Sequence, residues 1–445
     1  MHQDALNASR VLMGDSLGFH IIFVLFGLTL PILVSWFEFM GIRRKDKRLI
    51  DIAHFWSKIM ALLVIAGVIS GTVIALQMSL VWPGILKFGG KVIGLPFMFE
   101  TYAFIIEAVF LGLYMATWNR KRVSPILHWV FGLFIILGSS LSAFTITSIN
   151  AWMNLPTGFD IVKGKFENVD VLKAMFSQTS IVEFIHSMPA YYLAAGLTIA
   201  GIYALNLSKV SKQERASNKR KIDWFIINKL MVFSAVMVVL VVITADITGK
   251  YIAKHEPVKL AAIEAVHTTG PKQPFILGGV YNKDGSISGP YIKIPNALSL
   301  LAGNSTNTVV KGLSDYPEDK RPPRYVHTLF DIKLVLVSVM VALVVVYFVA
   351  KKWAKSVLNS RTGLLVFGTI SFVGLVIVEL GWMLTEIGRQ PWAVRGYVTT
   401  AEAVTKTHDI TSFGYIFPLA YVLLFTVTIL GIKKFVSDNS KTEAE

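Results

Sequence analysis

The sequence predicts an all-α integral membrane protein with nine transmembrane helices, and three observations predict it. Hydrophobic residues make up 54% of the chain and charged residues only 16%, with a mean hydropathy of +0.59, outside the balance of a soluble domain. Apolar runs near 16–41, 52–80, 94–118, 123–149, 181–207, 222–247, 327–350, 362–387 and 411–432 each reach the roughly 20 residues that cross a bilayer. The cations, finally, are bunched. Arg43, Arg44, Lys45, Lys47 and Arg48 follow the first run; Arg120, Lys121 and Arg122 the third; Lys209 to Lys221 the fifth; Lys351, Lys352, Lys355 and Arg361 the seventh; Lys433 and Lys434 end the ninth. Every second connection is thus basic and short, which puts the N-terminus outside and the C-terminus in the cytoplasm. This bunching accounts for the net charge of +15 and argues against a nucleic-acid-binding face. The first run lacks a basic leader and a small-residue cleavage site, so it reads as a span and not as a removable signal peptide. Three blocks follow: 1–247 with six spans, a long outer connection over 248–326, and 327–445 with three spans.

The absence of cysteine excludes disulfides, Fe–S clusters and thioether-linked haem, and leaves any iron to His, Met, Lys or carboxylate ligands. His20 lies about one turn inside the outer end of the first span. A lone histidine there is either a hydrogen-bonded helix residue or a metal ligand. In the third span Glu100 and Glu107 are seven residues apart on one face, with no Lys or Arg within 94–118. Each carboxylate would cost a few kcal/mol if charged at mid-membrane, so a proton relay or a cofactor contact fits better than a structural role. Trp152, after the fourth span, reads as an interfacial anchor. His186 opens the fifth span. The outer connection begins with Lys259-Leu260-Ala261-Ala262-Ile263-Glu264, an amphipathic helical pattern, and continues rich in turn residues such as Gly278-Gly279 and Pro322-Pro323. The seventh span opens Phe330-Asp331-Ile332-Lys333. The eighth ends in Gly381-Trp382-Met383-Leu384-Thr385-Glu386-Ile387-Gly388-Arg389-Gln390-Pro391-Trp392. Glu386 sits just inside the helix end, and Glu379 lies two turns before it with Trp382 between. Trp, Glu and Arg gathered at one interface suit a charged prosthetic group; the alternative is a solvated helix end whose Glu and Arg pair with each other.

The string G-W-x-x-x-E-x-G-R-Q-P-W resembles the signature near the end of subunit I of the cytochrome bd quinol oxidases. The resemblance extends from Arg10 to about Trp392. Ser9-Arg10 followed by His20 is similar to the family's opening, where the matching His is an axial ligand at the di-haem oxygen site. Ala103-Phe104-x-x-Glu107 with Phe110-x-Gly112-Leu113 is similar to the segment whose acidic residue serves the proton path. Leu141-Ser142-Ala143 and Asn150-Ala151-Trp152-Met153-Asn154-x-Pro156-x-Gly158 match as packing and outer-surface elements. His186 matches the ligand of the low-spin haem b. Lys259 and Glu264 fall on the quinol-binding signature of a short periplasmic Q-loop.

The resemblance implies a haem-containing quinol:oxygen oxidoreductase in the bacterial cytoplasmic (inner) membrane. Quinol, menaquinol or ubiquinol, would be oxidised outside, and O2 reduced to water with cytoplasmic protons. The implied cofactors are a low-spin haem b, a high-spin haem b, and a haem d or a further haem b. His20, His186 and Glu386 are implied at the iron, with Glu379, Trp382 and Arg389 around the haems. The implied partners are membrane lipid, a subunit II-like chain and a small single-helix subunit. The chain departs from the family at two places. The family's second acidic residue in the third span stands where this chain has Phe99, so Glu100 is displaced by one position. Where the family has Phe-Arg-x-Met, whose Met is the second axial ligand of the low-spin haem, this chain has Asp331 and Lys333. Lys333 either ligates as a neutral amine or snorkels outward, leaving that haem closed by another residue, five-coordinate or absent. Two further readings are a divergent haem protein with altered electron input and a secondary transporter. A transporter usually carries a detectable repeat with broken helices, and none is found here. Nine histidines, of which only His20 and His186 lie in spans near one level, argue against haem–copper and bc-type arrangements.

Overall fold

The computed structural model describes residues 2–118, 122–163, 165–215, 217, 220–406 and 410–442. His408 lies outside them. Among the described residues nine helices are long and apolar enough to cross a membrane, as the hydropathy runs predict. In order come α1 (His2–Arg44), α2 (Lys47–Leu80), α3 (Pro83–Thr117) and α4 (Pro125–Asn154). The breaks between them have local causes. Asp46 caps α2 by accepting the Arg48 N–H, Ser124 caps α4 by accepting the Leu127 N–H, and Pro83 and Pro125 open helices where a missing N–H does no harm.

The chain divides into two compact units. One comprises Met1–Phe184 and Gly396–Glu445. In it α1 packs on α2, on α4 and on the C-terminal α16 (Ile410–Thr442), and α3 packs on α4. Phe23, Phe37, Met60, Ile93, Tyr114 and Ile135 are among its largest buried side chains, together with Trp152. Trp152 is therefore a core residue and not an interfacial anchor. Its ring fills the space over Gly89, where a β-carbon would come within 2.4 Å of it, and its Nε1–H donates to the Thr157 carbonyl at 3.1 Å. A hairpin of β1 (Asp160–Val162) and β2 (Lys165–Glu167), followed by α5 (Val171–Met175), completes the connection out of α4.

The second unit is Ile185–Arg395. It holds most of α6 (Gln178–Ser208), then α7 (Lys212–Arg215), α8 (Lys221–His255), α9 (Pro257–Ile263), α10 (Ala297–Gly303), α11 (Val326–Trp353), α12 (Lys355–Leu358), α13 (Arg361–Ile370) and α14 (Val373–Ile387). The eighth apolar run is thus two helices, interrupted at Ser371-Phe372, where α6 approaches closely. A β-carbon at Gly201 would lie 2.9 Å from the Gly368 carbonyl, and one at Gly368 would lie 3.0 Å from the Gly201 carbonyl. Helices meeting through small residues in this way pack without a hydrophobic drive. Val232, Val236, Val239 and Ile243 of α8 and Val335, Val339 and Val346 of α11 are exposed, as lipid-facing positions are.

α8 continues to His255, so the long connection starts at Glu256. α9 forms where the amphipathic pattern predicts a helix but has no solvent face: Lys259 to Ile263 are all buried. Tyr281, Leu298, Val326 and Leu384 close over it in one apolar cluster. Beyond it β3 (Phe275–Tyr281) pairs antiparallel with β4 (Ile287–Ile294), with an irregularity between Gly278 and Val280. Gly278 and Gly279 have φ of +92° and +81°, a conformation that a β-carbon disfavours. The bulge turns the Gly278 N–H onto the Asp331 carboxylate of α11 at 2.7 Å. α15 (Thr400–Ala403), in the first unit, follows the short strands β5 (Trp392–Val394) and β6 (Val398–Thr399) in the chain.

Candidate functional site

In the first unit the His20 Nδ1 lies 2.8 Å from the Ser70 hydroxyl. That oxygen is in turn 2.8 Å from the Ala66 carbonyl and 3.0 Å from that of Gly67. A carbonyl only accepts, so the single hydroxyl hydrogen goes to the helix backbone and Ser70 accepts the Nδ1–H of His20. The tautomer is thereby set with the lone pair on Nε2, the form that binds a metal. A β-carbon at Gly71 would lie 3.1 Å from His20 Cε1 and 3.5 Å from Phe104, so the bare Cα leaves room beside the ring. Glu100 and Glu107 are both buried, on a helix that packs on α4. The Ser142 and Thr145 hydroxyls donate to the two Glu100 oxygens at 2.7 and 2.6 Å. Displacement by one position therefore leaves Glu100 on the same buried column as Glu107.

In the second unit His186 repeats the device of His20. Its Nδ1 is 3.1 Å from the Thr244 hydroxyl, which is 2.8 Å from the Leu240 carbonyl. Thr244 donates to that carbonyl and accepts from Nδ1–H, again leaving Nε2 free to ligate. Lys333 lies within electrostatic range of His186, and its Nζ would be 3.9 Å from a β-carbon at Gly381. The Trp382 Nε1–H donates to Glu379 at 2.7 Å, while the other Glu379 oxygen is buried with no partner among the described residues. Arg389 donates through Nη2 to Glu386. The Glu–Arg pairing weighed from the sequence is therefore present, with the Glu386 side chain part-exposed and Arg389 buried at 3% exposure. Its Nε and Nη1 have no partner among the described residues. A buried guanidinium with unmatched N–H groups calls for an anion, and the propionates of a haem supply one. These arrangements fit haem: two tautomer-fixed imidazoles, a buried guanidinium with two nitrogens unmatched among the described residues, and a carboxylate with one buried oxygen unmatched among them.

The Lys259-to-Glu264 segment is organised around a residue that sequence reading missed. Glu256, 2% exposed, pairs with Lys259 Nζ at 3.2 Å and Arg395 Nη2 at 3.0 Å. Burial opposes its ionisation, but Lys259, Arg395 and Arg389 outweigh burial and hold its carboxyl below the usual range. Gly388 makes room for this cluster. A β-carbon there would press on Lys259 Cγ and Cε at 3.2 Å. Glu264 is buried, with Oε2 lacking a partner among the described residues. Burial and the adjacent Asp331 carboxylate push it up to about 8. His327, also missed, is fully buried; its Nδ1 donates to the Ile263 carbonyl at 2.8 Å, and Nε2 is 3.2 Å from Asp331. The signal that could have found it is the i,i+4 spacing of His327 and Asp331 at the start of α11.

Residues 8–440 match the family model described as cytochrome bd terminal oxidase subunit I. The chain belongs to the cytochrome bd subunit I family. It is 32% identical to a chain in the structure of the bd oxidase from Geobacillus thermodenitrificans, with a TM-score of 0.88 over 98% of this chain and 99% of that one. A Bacillus subtilis (strain 168) chain provisionally named cytochrome bd menaquinol oxidase subunit I is 30% identical over 95% of this chain and 94% of its own length. The cytochrome bd ubiquinol oxidase subunit 1 of the same strain is 27% identical over 96% and 93%. Membership in the bd family makes this a multi-pass bacterial membrane protein, an oxidoreductase subunit of haem and quinol chemistry that works with a subunit II.

Proposed function

We propose that this chain oxidises quinol beside α9 and reduces O2 to water with protons drawn from the cytoplasm. The observation that carries the reading is the shared setting of His20 and His186, each with Nδ1–H bound by a hydroxyl already committed to its helix backbone. On this reading His20, His186 and Glu386 hold haem iron, with Lys333 a further candidate, and Arg389 faces the anionic edge of a haem. The haems when bound, two of the b type and a third of b or d type, supply electron transfer and O2 reduction.

The rest is the work of the protein. Glu264, neutral at pH 7 for most of the time, is a desolvated carboxyl placed to hydrogen-bond quinol and, once ionised, to take a proton from it. Lys259 is held by Glu256 and kept from solvent, oriented to bind the substrate oxygen. Glu107 and Glu100 form a buried column able to carry protons inward from the side of the basic connections. On this reading quinol is deprotonated outside and protons are taken up inside, so charge separates without a pump. The test is a pyridine haemochrome assay and quinol-dependent oxygen consumption on the purified two-subunit complex. Bound haem with turnover is expected, and Glu264→Ala should depress turnover while leaving the dithionite-reduced spectrum intact. A haem-free protein would return the reading to transport.

A further inference from the structure

Away from the groups used so far, the first unit buries a second cluster of ionisable side chains where α1, α3 and α4 meet. Glu38 is 2% exposed, His128 5% and Tyr114 0%. The Tyr114 hydroxyl donates to Glu38 Oε2 at 2.7 Å, His128 Nδ1 lies 2.6 Å from Glu38 Oε1, and His128 Nε2 lies 3.0 Å from the Tyr114 carbonyl. Counting hydrogens is decisive here. A carbonyl only accepts, so Nε2 carries a hydrogen; the short Nδ1–Oε1 line then needs one more, either on the imidazole or on the carboxyl. The pair therefore holds one shared, exchangeable proton in the interior.

Its place on the helices gives that proton a destination. Glu100, Glu107 and Tyr114 recur every seven residues along α3 and are all buried. α4 runs the other way beside them: Ser142 and Thr145 meet Glu100, Gly138 meets Glu107, and His128 meets Tyr114. The cluster is thus one heptad, about 10 Å, beyond Glu107, at the helix ends that lead into the basic connections after α1 and α3. The Ser35 hydroxyl, buried and with no partner among the described residues, lies beside the bare Cα of Gly132 and the Tyr114 ring. On the far side Trp118 packs on His128 at 4.5 Å and on His54 of α2 at 4.7 Å. The ionisable groups facing the pair are then Tyr114 from α3 and His54 from α2, with Asp51 and Lys58 beside His54.

We infer that Glu38 and His128, with Tyr114, form the proton-loading station that feeds Glu107 from the side of the basic connections. The inference rests on the proposed direction of proton uptake. A proton passes from the His54 side to the shared Nδ1–Oε1 position, and from there to the Glu107 carboxylate; no bond other than those to hydrogen changes. The groups act through Glu107 and touch no substrate.

The test uses the purified two-subunit complex with E38Q, H128Q, Y114F and E107Q variants. Haem content is measured first, then quinol-dependent oxygen consumption from pH 6 to 9. E38Q and H128Q should retain their haem and lose tenfold or more in turnover. The loss should be largest at high pH, where protons are scarce, so the alkaline limb moves down. The double variant should be no slower than either single, because both act on one step. Unchanged turnover and pH profile in E38Q and H128Q while E107Q is slow would overturn the inference. Unchanged turnover in E107Q as well would instead overturn the proton path of the proposed function. Loss of haem from E38Q, H128Q and Y114F alike would give the cluster a structural role and equally overturn it.

Discussion

At the residue scale, the two carboxylates at either end of α9 show how position fixes protonation. Glu256 is held ionised by three cations, whereas Glu264, desolvated by burial and with a carboxylate for a neighbour, is pushed up to about 8. An acid with that value is ionised to about one part in ten at pH 7 and half at pH 8. Because the ionised form is the one that accepts a proton, turnover should rise between pH 7 and pH 8, and Glu264→Gln should flatten that rise. A steady-state pH profile decides, and a variant that keeps the full rise would free Glu264 of the role. Lys333 is the second residue with a sharp expectation. A nitrogen ligand favours ferric iron more than a thioether does, so if His186 and Lys333 hold a haem as proposed, Lys333→Met should raise its midpoint potential and shift its α-band. If both Lys333→Met and Lys333→Ala leave potential and band where they were, Lys333 is no ligand.

At the level of elements, helix crossings are set where glycine removes a side chain. The tightest functional one is α4 on α3, where a β-carbon at Gly138 would meet the Glu107 amide at 2.9 Å and the Ala103 carbonyl at 3.1 Å. These are backbone atoms, which cannot swing aside. Gly138→Ala should therefore destabilise by about 1–3 kcal/mol, the usual range for overpacking, and slow turnover through the displaced Glu107. Gly90→Ala on α3, where a β-carbon would meet nothing within 4 Å, serves as the control and should leave the unfolding temperature level or higher. Intrinsic fluorescence of the detergent-solubilised complex on heating reads both. The spans themselves were legible because hydropathy reports burial in lipid directly. The break of the eighth run was not, since Ser371 is an ordinary residue for a membrane helix and only the approach of Gly201 explains it. α9 is a similar case: its helical period showed, but its burial depends on β3, α10 and α14, which lie far along the chain.

For the whole molecule, what the sequence made plain were features carried by one segment: nine apolar runs, the heptad column of α3, and the terminal Gly-Trp to Pro-Trp string. Pairings between distant segments stayed hidden. Nothing local links Glu256 to Arg395 or Glu38 to His128, residues 90 or more positions apart, so neither pairing can be read from a single segment. The alternation of basic connections predicts the orientation of the chain. A periplasm-dependent phosphatase fused after α16 should be inactive, and one inserted near Asp284 in the β3–β4 turn active; the reverse pattern would invert the proposed sidedness. Ser70 and Thr244 carry an implication for biogenesis. Since each hydroxyl already donates to its own helix, His20 and His186 hold their accepting lone pairs from the moment α1 meets α2 and α6 meets α8. The chain can then be inserted and folded first and furnished with its haems later, with no proton released at either histidine.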